Sequence, residues 1–158
     1  MIHISNIFSS VFFVVVFSSL CTCPPPKNWK RATPIEYEYV NDVFIGDIRI
    51  DCDNDLEYLI VICEVFKGDL QPGQIIKGIN SGTCGPYVDT DGEWILFGNY
   101  SSRFIVNDCG LSSNIIDPKK LLSPQPINLK NNFESRKLEA KQNIKPQINM
   151  LREMITSK

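Results

Sequence analysis

Histidine is almost absent from this chain of 158 residues, because the single one, His3, lies in a segment that we expect to be removed. A mature chain without imidazole excludes a Ser-His-Asp triad, a Cys-His pair and a histidine-ligated metal. A basic surplus is also lacking, since 16 Lys and Arg residues stand against 18 Asp and Glu residues. Proteins whose main partner is nucleic acid need such a surplus. We therefore expect no enzymatic activity, no intrinsic metal, no cofactor and no nucleic-acid partner.

A long hydrophobic run is missing as well. The longest uncharged apolar stretch, Ile7–Leu20, would extend about 21 Å as a helix, whereas a bilayer core is about 30 Å thick. We therefore expect no stable membrane span but a signal peptide over residues 1–20, cleaved before Cys21. The protein would be a secreted, extracellular or periplasmic monomer. Leu20 fits the cleavage pattern poorly, so cleavage nearby and a surface lipoprotein attached through Cys21 stay open as alternatives.

Charge divides the remaining chain into two parts. Residues 21–116 contain 7 basic and 14 acidic residues, whereas residues 117–158 contain 9 basic and 4 acidic residues. We predict a cysteine-containing domain over the first range and a basic helical extension over the second. The extension has one helical segment at Phe133–Asn143 and another with Pro146 in its first turn. Its apolar stripe is expected to dock on the domain: Ile144, Ile148, Leu151 and Ile155.

Turn residues cut the acidic part into short segments. Thr33 followed by Pro34 predicts the start of a short helix that runs to about Asn41. Five strands follow, separated by Gly, Pro, Asn and Asp: Val43–Ile50, Glu57–Lys67, Gln74–Ile79, Trp94–Tyr100 and Arg103–Val106. This pattern predicts a mainly β protein, namely a five-stranded OB-like antiparallel barrel with a short N-terminal helix and a C-terminal helical extension.

The cysteines begin with a C-x-C pair. Cys21 and Cys23 are too close to bond comfortably to each other, so each sulfur should pair elsewhere. An exported chain reaches an oxidising compartment, where six cysteines are expected to form disulfides. Two such bonds would fix a short ridge of chain against the barrel, and the prolines that follow Cys23 would stiffen it. A preorganised ridge loses little entropy when it binds a partner.

Six short motifs lie within residues 21–113: CTCPPP at 21–26, VFIG at 43–46, EVFKG at 64–68, GTCGPY at 82–87, EWILFG at 93–98 and FIVNDC at 104–109. Together they resemble the tissue inhibitors of metalloproteinases and the wider netrin-like domain family. The resemblance implies an OB-type barrel and the disulfides Cys21–Cys84 and Cys23–Cys109. The family's third disulfide and its second, disulfide-rich domain have no counterpart, since no cysteine follows Cys109.

The resemblance also implies a function, which is inhibition of a zinc metalloprotease. In such inhibitors the amine and carbonyl of the first cysteine chelate the protease's zinc, and the second residue enters the adjacent pocket. An uncharged α-amine is a good zinc ligand, with a pKa near 8. The implied protease-binding residues are Cys21, Thr22, Cys23, Pro24, Gly82 and Thr83. The alternative is a non-inhibitory netrin-like module that binds other proteins outside the cell or at its surface.

Cys52 and Cys63 have no counterpart in this resemblance. If the other four cysteines form the two disulfides that the resemblance implies, Cys52 and Cys63 are the two that remain to pair. The predicted hairpin opposes a bond between them. If the turn spans residues 53–56, Cys52 lies opposite Glu57, and Cys63 lies six residues further along the strand. That distance is roughly 20 Å, whereas the Cα atoms of a disulfide lie within roughly 7 Å of each other. Either the loop is longer or these two cysteines are not bonded to each other, so their pairing stays open.

Overall fold

The computed structural model of the protein describes residues 23, 28–51, 53–54, 56–81, 84–118 and 133–157, without the side chains of residues 133–136. The predicted β2 has the observed bounds, and the other four predicted strands differ from the observed ones by one or two residues. A two-residue strand, β6, was not predicted. The elements are α1 (Trp29–Tyr39), β1 (Asp42–Ile50), β2 (Glu57–Lys67), β3 (Ile75–Ile79), β4 (Gly92–Tyr100), β5 (Phe104–Val106), β6 (Ser113–Asn114) and α2 (Phe133–Thr156).

The first five strands close into a barrel, which confirms the predicted fold. β1 pairs with both β2 and β4, while β3 pairs with β2 and β5, and β5 returns to β4. The barrel is mixed rather than wholly antiparallel, because β3 and β5 run parallel where Gly78 lies opposite Phe104. The prediction of an antiparallel barrel was wrong at this one pairing. Five strands cannot alternate in direction around a closed ring, so one neighbouring pair must be parallel.

Two hydrophobic clusters lie on the two faces of the barrel wall. The first gathers residues of all five strands, among them Phe44, Ile48 and Tyr58. The second joins other positions of β1, β2 and β4, including Val43 and Ile45, to the two helices. Residues 42–46 of β1 are therefore all buried, which explains why the strand reads as a nearly continuous apolar run rather than an alternating one.

Helix α2 packs on the barrel through its predicted apolar stripe. Ile144, Ile148 and Leu151 belong to the second cluster, which confirms the docking for these three residues. Ile155, the fourth, is 42% exposed and was wrongly included. The predicted boundary between residues 116 and 117 stays a prediction, but α2 and the barrel share one cluster of buried side chains. None of the helices in the described ranges combines the length and hydropathy needed to cross a membrane.

Both helices contain a proline that was expected near a helix start. Asn28, rather than Thr33, caps α1, and its side chain accepts a hydrogen bond from the backbone N–H of Lys30 at 2.9 Å. Asn is at least as good a cap as Thr, and the Thr33 hydroxyl instead donates to the carbonyl of Trp29. Pro34 therefore lies inside α1. Similarly, Pro146 lies inside a continuous α2, where two separate segments had been predicted.

Candidate functional site

The predicted protease-binding residues are represented in the structure by Cys23. Cys21, Thr22, Pro24, Gly82 and Thr83 lie outside the described residues, as does Cys52. The roles predicted for them stay predictions. What the structure describes is the base of the site, where Cys23 meets two loops of the barrel.

Cys23 is disulfide-bonded to Cys109, with the two Cα atoms 5.5 Å apart and a sequence separation of 86. This pairing is confirmed. Cys84 is disulfide-bonded too, while its predicted partner, Cys21, lies outside the described residues. The sulfurs of Cys23, Cys84 and Cys109 all lie within 4.8 Å of one another. Sulfurs in disulfides are not thiolate ligands, so this cluster is a covalent junction rather than a metal site.

The junction ties together the loop that follows β3 and the loop that follows β5. The backbone N–H of Cys109 donates to the carbonyl of Gly85 at 2.6 Å. Cys109 has a φ of 59°, in the left-handed region that non-glycine residues seldom adopt. Its disulfide and its hydrogen bond hold it in this conformation. Cys23 is therefore attached at a point where both loops are already joined to each other.

Glu36 of α1 is hydrogen-bonded to the loop that follows β5 and contains Cys109, which we call the Cys109 loop. The sequence analysis did not identify this residue. The backbone N–H of Leu111 donates to both carboxylate oxygens, at 2.9 and 3.1 Å, and the Asn107 side chain donates to Oε1 at 3.1 Å. A Cβ on Gly110 would collide with that same Oε1, so glycine is needed for the loop to approach so closely. Burial raises the pKa of Glu36 to about 7, against the opposing effect of these hydrogen bonds.

One sequence signal could have revealed Glu36. Thr33, Glu36 and Val40 follow the three-to-four-residue spacing of one helix face, and that face is buried. A carboxylate on a buried helix face needs partners that compensate for lost hydration. The partners, Asn107 and Leu111, lie more than 70 positions away in sequence. The spacing therefore predicts a buried acid but not what it binds.

A small pocket of about 90 Å³ adjoins the loop that follows β3 and contains Cys84. Trp94 forms part of its wall and donates from its indole N–H to the carbonyl of Thr90. Tyr87 also lines the pocket and is 46% exposed. Pockets that enclose drug-sized ligands are roughly 300 Å³ or larger, so this one has room for a single side chain of a partner. The lining residues are Pro86, Tyr87, Asp89, Trp94, Ser112, Ser113 and Asn114.

A separate exposed surface lies on β2, β3 and β5, and we call it the outer sheet face. Its apolar members are Leu59, Ile75 and Ile105, which are 44%, 65% and 42% exposed. Lys77 lies directly across from Leu59 and has no ion pair among the described residues. Arg103 on the same face is paired with Glu57. The outer sheet face thus combines apolar side chains with one uncompensated positive charge.

Cys63 is a free, exposed thiol on β2. Ile50 lies opposite Tyr58, and the backbone N–H of Asp51 donates to the carbonyl of Glu57. Asp51 therefore takes the place opposite Glu57 that was predicted for Cys52, and the hairpin connection is one residue longer than predicted. Cys63 is six residues beyond Glu57 along the strand, roughly 20 Å at the usual rise. The sequence left the pairing of Cys63 with Cys52 open, and the free Cys63 is the outcome in which these two cysteines are not bonded to each other.

The fold and the junction define a disulfide-bonded, OB-like β-barrel protein. No protein-family model matches the sequence, and no curated protein matches it either. Membership of the metalloproteinase-inhibitor or netrin-like family is therefore a proposal that rests on the six motifs and the pairing Cys23–Cys109. Barrels of this type serve many unrelated functions, so the function must be argued from the site.

Proposed function

We propose that the protein is a secreted, monomeric inhibitor of a zinc metalloprotease that binds the catalytic zinc through the amine and carbonyl of Cys21. The observation that carries the proposal is the attachment of Cys23 to Cys109 beside Cys84. Because Cys21 is two residues before this junction, a mature terminus at Cys21 would begin close to a fixed point on the barrel. A disulfide is typical of the oxidising compartments to which such a chain is exported.

Inhibition requires direct coordination of the protease's zinc by the inhibitor. A catalytic zinc keeps one coordination position open for water or substrate, and an uncharged amine can occupy it. Thr22 would then enter the pocket beside the zinc, with Pro24, Gly82 and Thr83 forming the adjacent part of the contact surface. We propose no catalysis by the chain itself, since it has no histidine after position 3 to serve as a base near neutral pH.

The test begins with the mass of the mature N-terminus, followed by inhibition assays against a panel of zinc proteases. Adding one alanine before Cys21 would move the amine by about 3.5 Å, while zinc–nitrogen distances vary by only about 0.2 Å. The extended protein should keep its melting temperature and lose inhibition. The matched variant Thr22→Gly keeps the amine in place, so it should weaken inhibition less and unevenly across the panel.

If a wild-type protein with a confirmed Cys21 terminus inhibits no protease of the panel, the inhibitor proposal fails. The alternative is then a non-inhibitory module that binds another protein, and the outer sheet face is the observation that favours it. Its exposed Leu59, Ile75 and Ile105 around Lys77 suit a partner that presents apolar side chains and a carboxylate. In that case Lys77→Glu should abolish binding to the identified partner, while the alanine extension should leave it unchanged.

A further inference from the structure

The Cys109 loop closes around a carboxylate that is almost removed from water. Glu36 is 9% exposed, and its oxygens accept hydrogen bonds from Leu111 and Asn107 on the two sides of Cys109. The loop contributes its own contact as well, since the N–H of Gly110 donates to the carbonyl of Asn107 at 3.0 Å. Opening the loop would break these bonds and return Glu36 to water. The loop therefore cannot open without exposing the carboxylate of Glu36 to water.

Other charges around Glu36 are engaged elsewhere or exposed. Lys67 of β2 donates to the carbonyls of Tyr37 and Val40 at the end of α1. Burial raises the pKa of Glu36, the hydrogen bonds from Asn107 and Leu111 lower it, and no charged side chain is among these influences. The charged residues on the surrounding elements, among those whose side chains are described, are Lys30, Arg31 and Glu38 on α1, Glu57, Glu64 and Lys67 on β2, Asp108 in the loop, Asp117 before α2, and Lys137, Glu139, Lys141, Lys145, Arg152 and Glu153 on α2.

We propose that Glu36 is a proton-sensitive positioning residue for the Cys109 loop, and hence for the chain segment that Cys23 attaches to it. In the protonated form the buried carboxyl carries no charge, and the loop stays closed. Loss of the proton leaves a charge that burial disfavours, so the loop opens more often. The junction of Cys23, Cys84 and Cys109 would then be held less firmly above neutral pH than below it.

The direction follows from linkage. The Glu36 carboxyl has a pKa of about 7 when the loop is closed, and in an open loop it would have the ordinary value of 4.5. Raising the pH through this interval favours the form with the lower pKa, which is the open form. The equilibrium constant for opening should rise by about two orders of magnitude between about pH 5 and about pH 8.

Two measurements on the full chain test the proposal without any protease. The first follows the side-chain carboxyl carbon of Glu36 by NMR over this pH range, and a transition near neutral pH is expected. The second measures hydrogen exchange of the Leu111 amide, corrected for its intrinsic pH dependence. Protection should fall by about 100-fold as the pH rises, while the amide of the buried Leu96 in β4 serves as the reference for global opening.

Two variants complete the experiment. Glu36→Gln keeps the shape of the neutral carboxyl and cannot titrate, so protection of Leu111 should no longer depend on pH. Glu38→Gln changes an exposed glutamate of the same helix and should behave as the wild type. Titration of Glu36 near 4.5, or an unchanged pH dependence in Glu36→Gln, would overturn the proposal.

A further consequence rests on the proposed function: inhibition of a zinc protease should weaken above pH 7 in the wild type but not in Glu36→Gln. Each protease must first be corrected for its own pH dependence. If the protein inhibits nothing, the NMR and exchange results still decide the role of Glu36. If inhibition is found but its pH dependence is the same in both proteins, the link from the loop to the N-terminus is wrong.

Discussion

Gln147 of α2 donates from Nε2 to the hydroxyl of Thr33 in α1 at 3.1 Å, across 114 positions of the sequence. Both side chains are fully buried, and the Thr33 hydroxyl in turn donates a hydrogen bond to the carbonyl of Trp29 at 2.8 Å. Oε1 of Gln147 has no hydrogen-bond partner among the described residues. The described helices α1 and α2 are therefore joined by a polar contact in which the amide nitrogen of Gln147 has a partner and the amide oxygen has none among the described residues.

Shortening Gln147 should cost more than making it apolar. Gln147→Ala removes the donor to Thr33 and leaves a cavity, so the free energy of unfolding should fall by about 2–3 kcal/mol. Gln147→Met keeps most of the volume and removes the unsatisfied oxygen, so its effect should stay within about 1 kcal/mol. Urea denaturation measures both, with the exposed Gln142→Ala on the same helix as control. Equal losses in the Ala and Met variants would show that the hydrogen bond, rather than packing, dominates.

The apolar stripe of α2 should contribute unevenly to stability. Leu151 is fully buried, whereas Ile155 is 42% exposed. Leu151→Ala should lower the free energy of unfolding by about 3 kcal/mol, because it leaves a cavity between helix and barrel. Ile155→Ala should cost less than about 1 kcal/mol. Similar melting temperatures for the two variants would argue against the docking of α2 seen here.

Peptide mapping without reductant should recover Cys23–Cys109 and the predicted Cys21–Cys84. In the chain-entropy model, a loop closed over a sequence separation of 86 stabilises the fold by about 4.5 kcal/mol. The variant Cys23→Ser should therefore lose much of the stability of a small domain. The exposed Cys63 should react with a thiol reagent in the folded, unreduced protein. A peptide that links Cys63 to Cys52 would contradict the free thiol, and one that links Cys63 to Cys23 would contradict both expectations.

Glu64 and Arg152 connect β2 to α2 through two hydrogen bonds of 2.7 and 2.8 Å. The Arg152 guanidinium lowers the pKa of Glu64 below its ordinary value of 4.5. The stabilisation is therefore complete above about pH 4.5 and is lost as the pH falls further. Glu64→Gln should lower the melting temperature slightly, and less so at high salt, because the pair is exposed. The difference from wild type should disappear at acid pH, whereas the exposed Glu139→Gln should show none at any pH.

The barrel strands could be predicted because the residues that mark each strand and turn are neighbours in the sequence. Asp91-Gly92 marks the turn before β4, and the apolar residues of β2 mark that strand along its whole length. The helix starts were harder, because Asn28 and Thr33 are both good caps and tertiary contacts decided between them. Thr33 is used in the contact with Gln147, which lies too far away in sequence to influence a local pattern. The parallel pairing of β3 with β5 follows from ring closure rather than from any residue.

The site could be predicted less completely than the fold. The C-x-C spacing showed that Cys23 must pair with a distant cysteine, but the choice of Cys109 came from the resemblance. Glu36 was missed because its importance depends on a loop that only the folded chain brings to it. Gly110 is another example, since its role appears once the Glu36 oxygen is known to lie against it.

Closure of the barrel also limits how anything else can attach to it. β1 has neighbours on both sides, and β6 continues the pairing along β4 where β5 leaves it. An exposed strand edge would act as a template for another chain, in recognition as well as in aggregation. The described strands of the barrel form a ring instead, which is narrowest where β3 and β5 share the single pair Gly78 and Phe104. Along β1, which is paired on both sides, a partner can make contact only through side chains and loop tips. The sequences of those parts can change without disturbing the hydrogen bonds that hold the strands together.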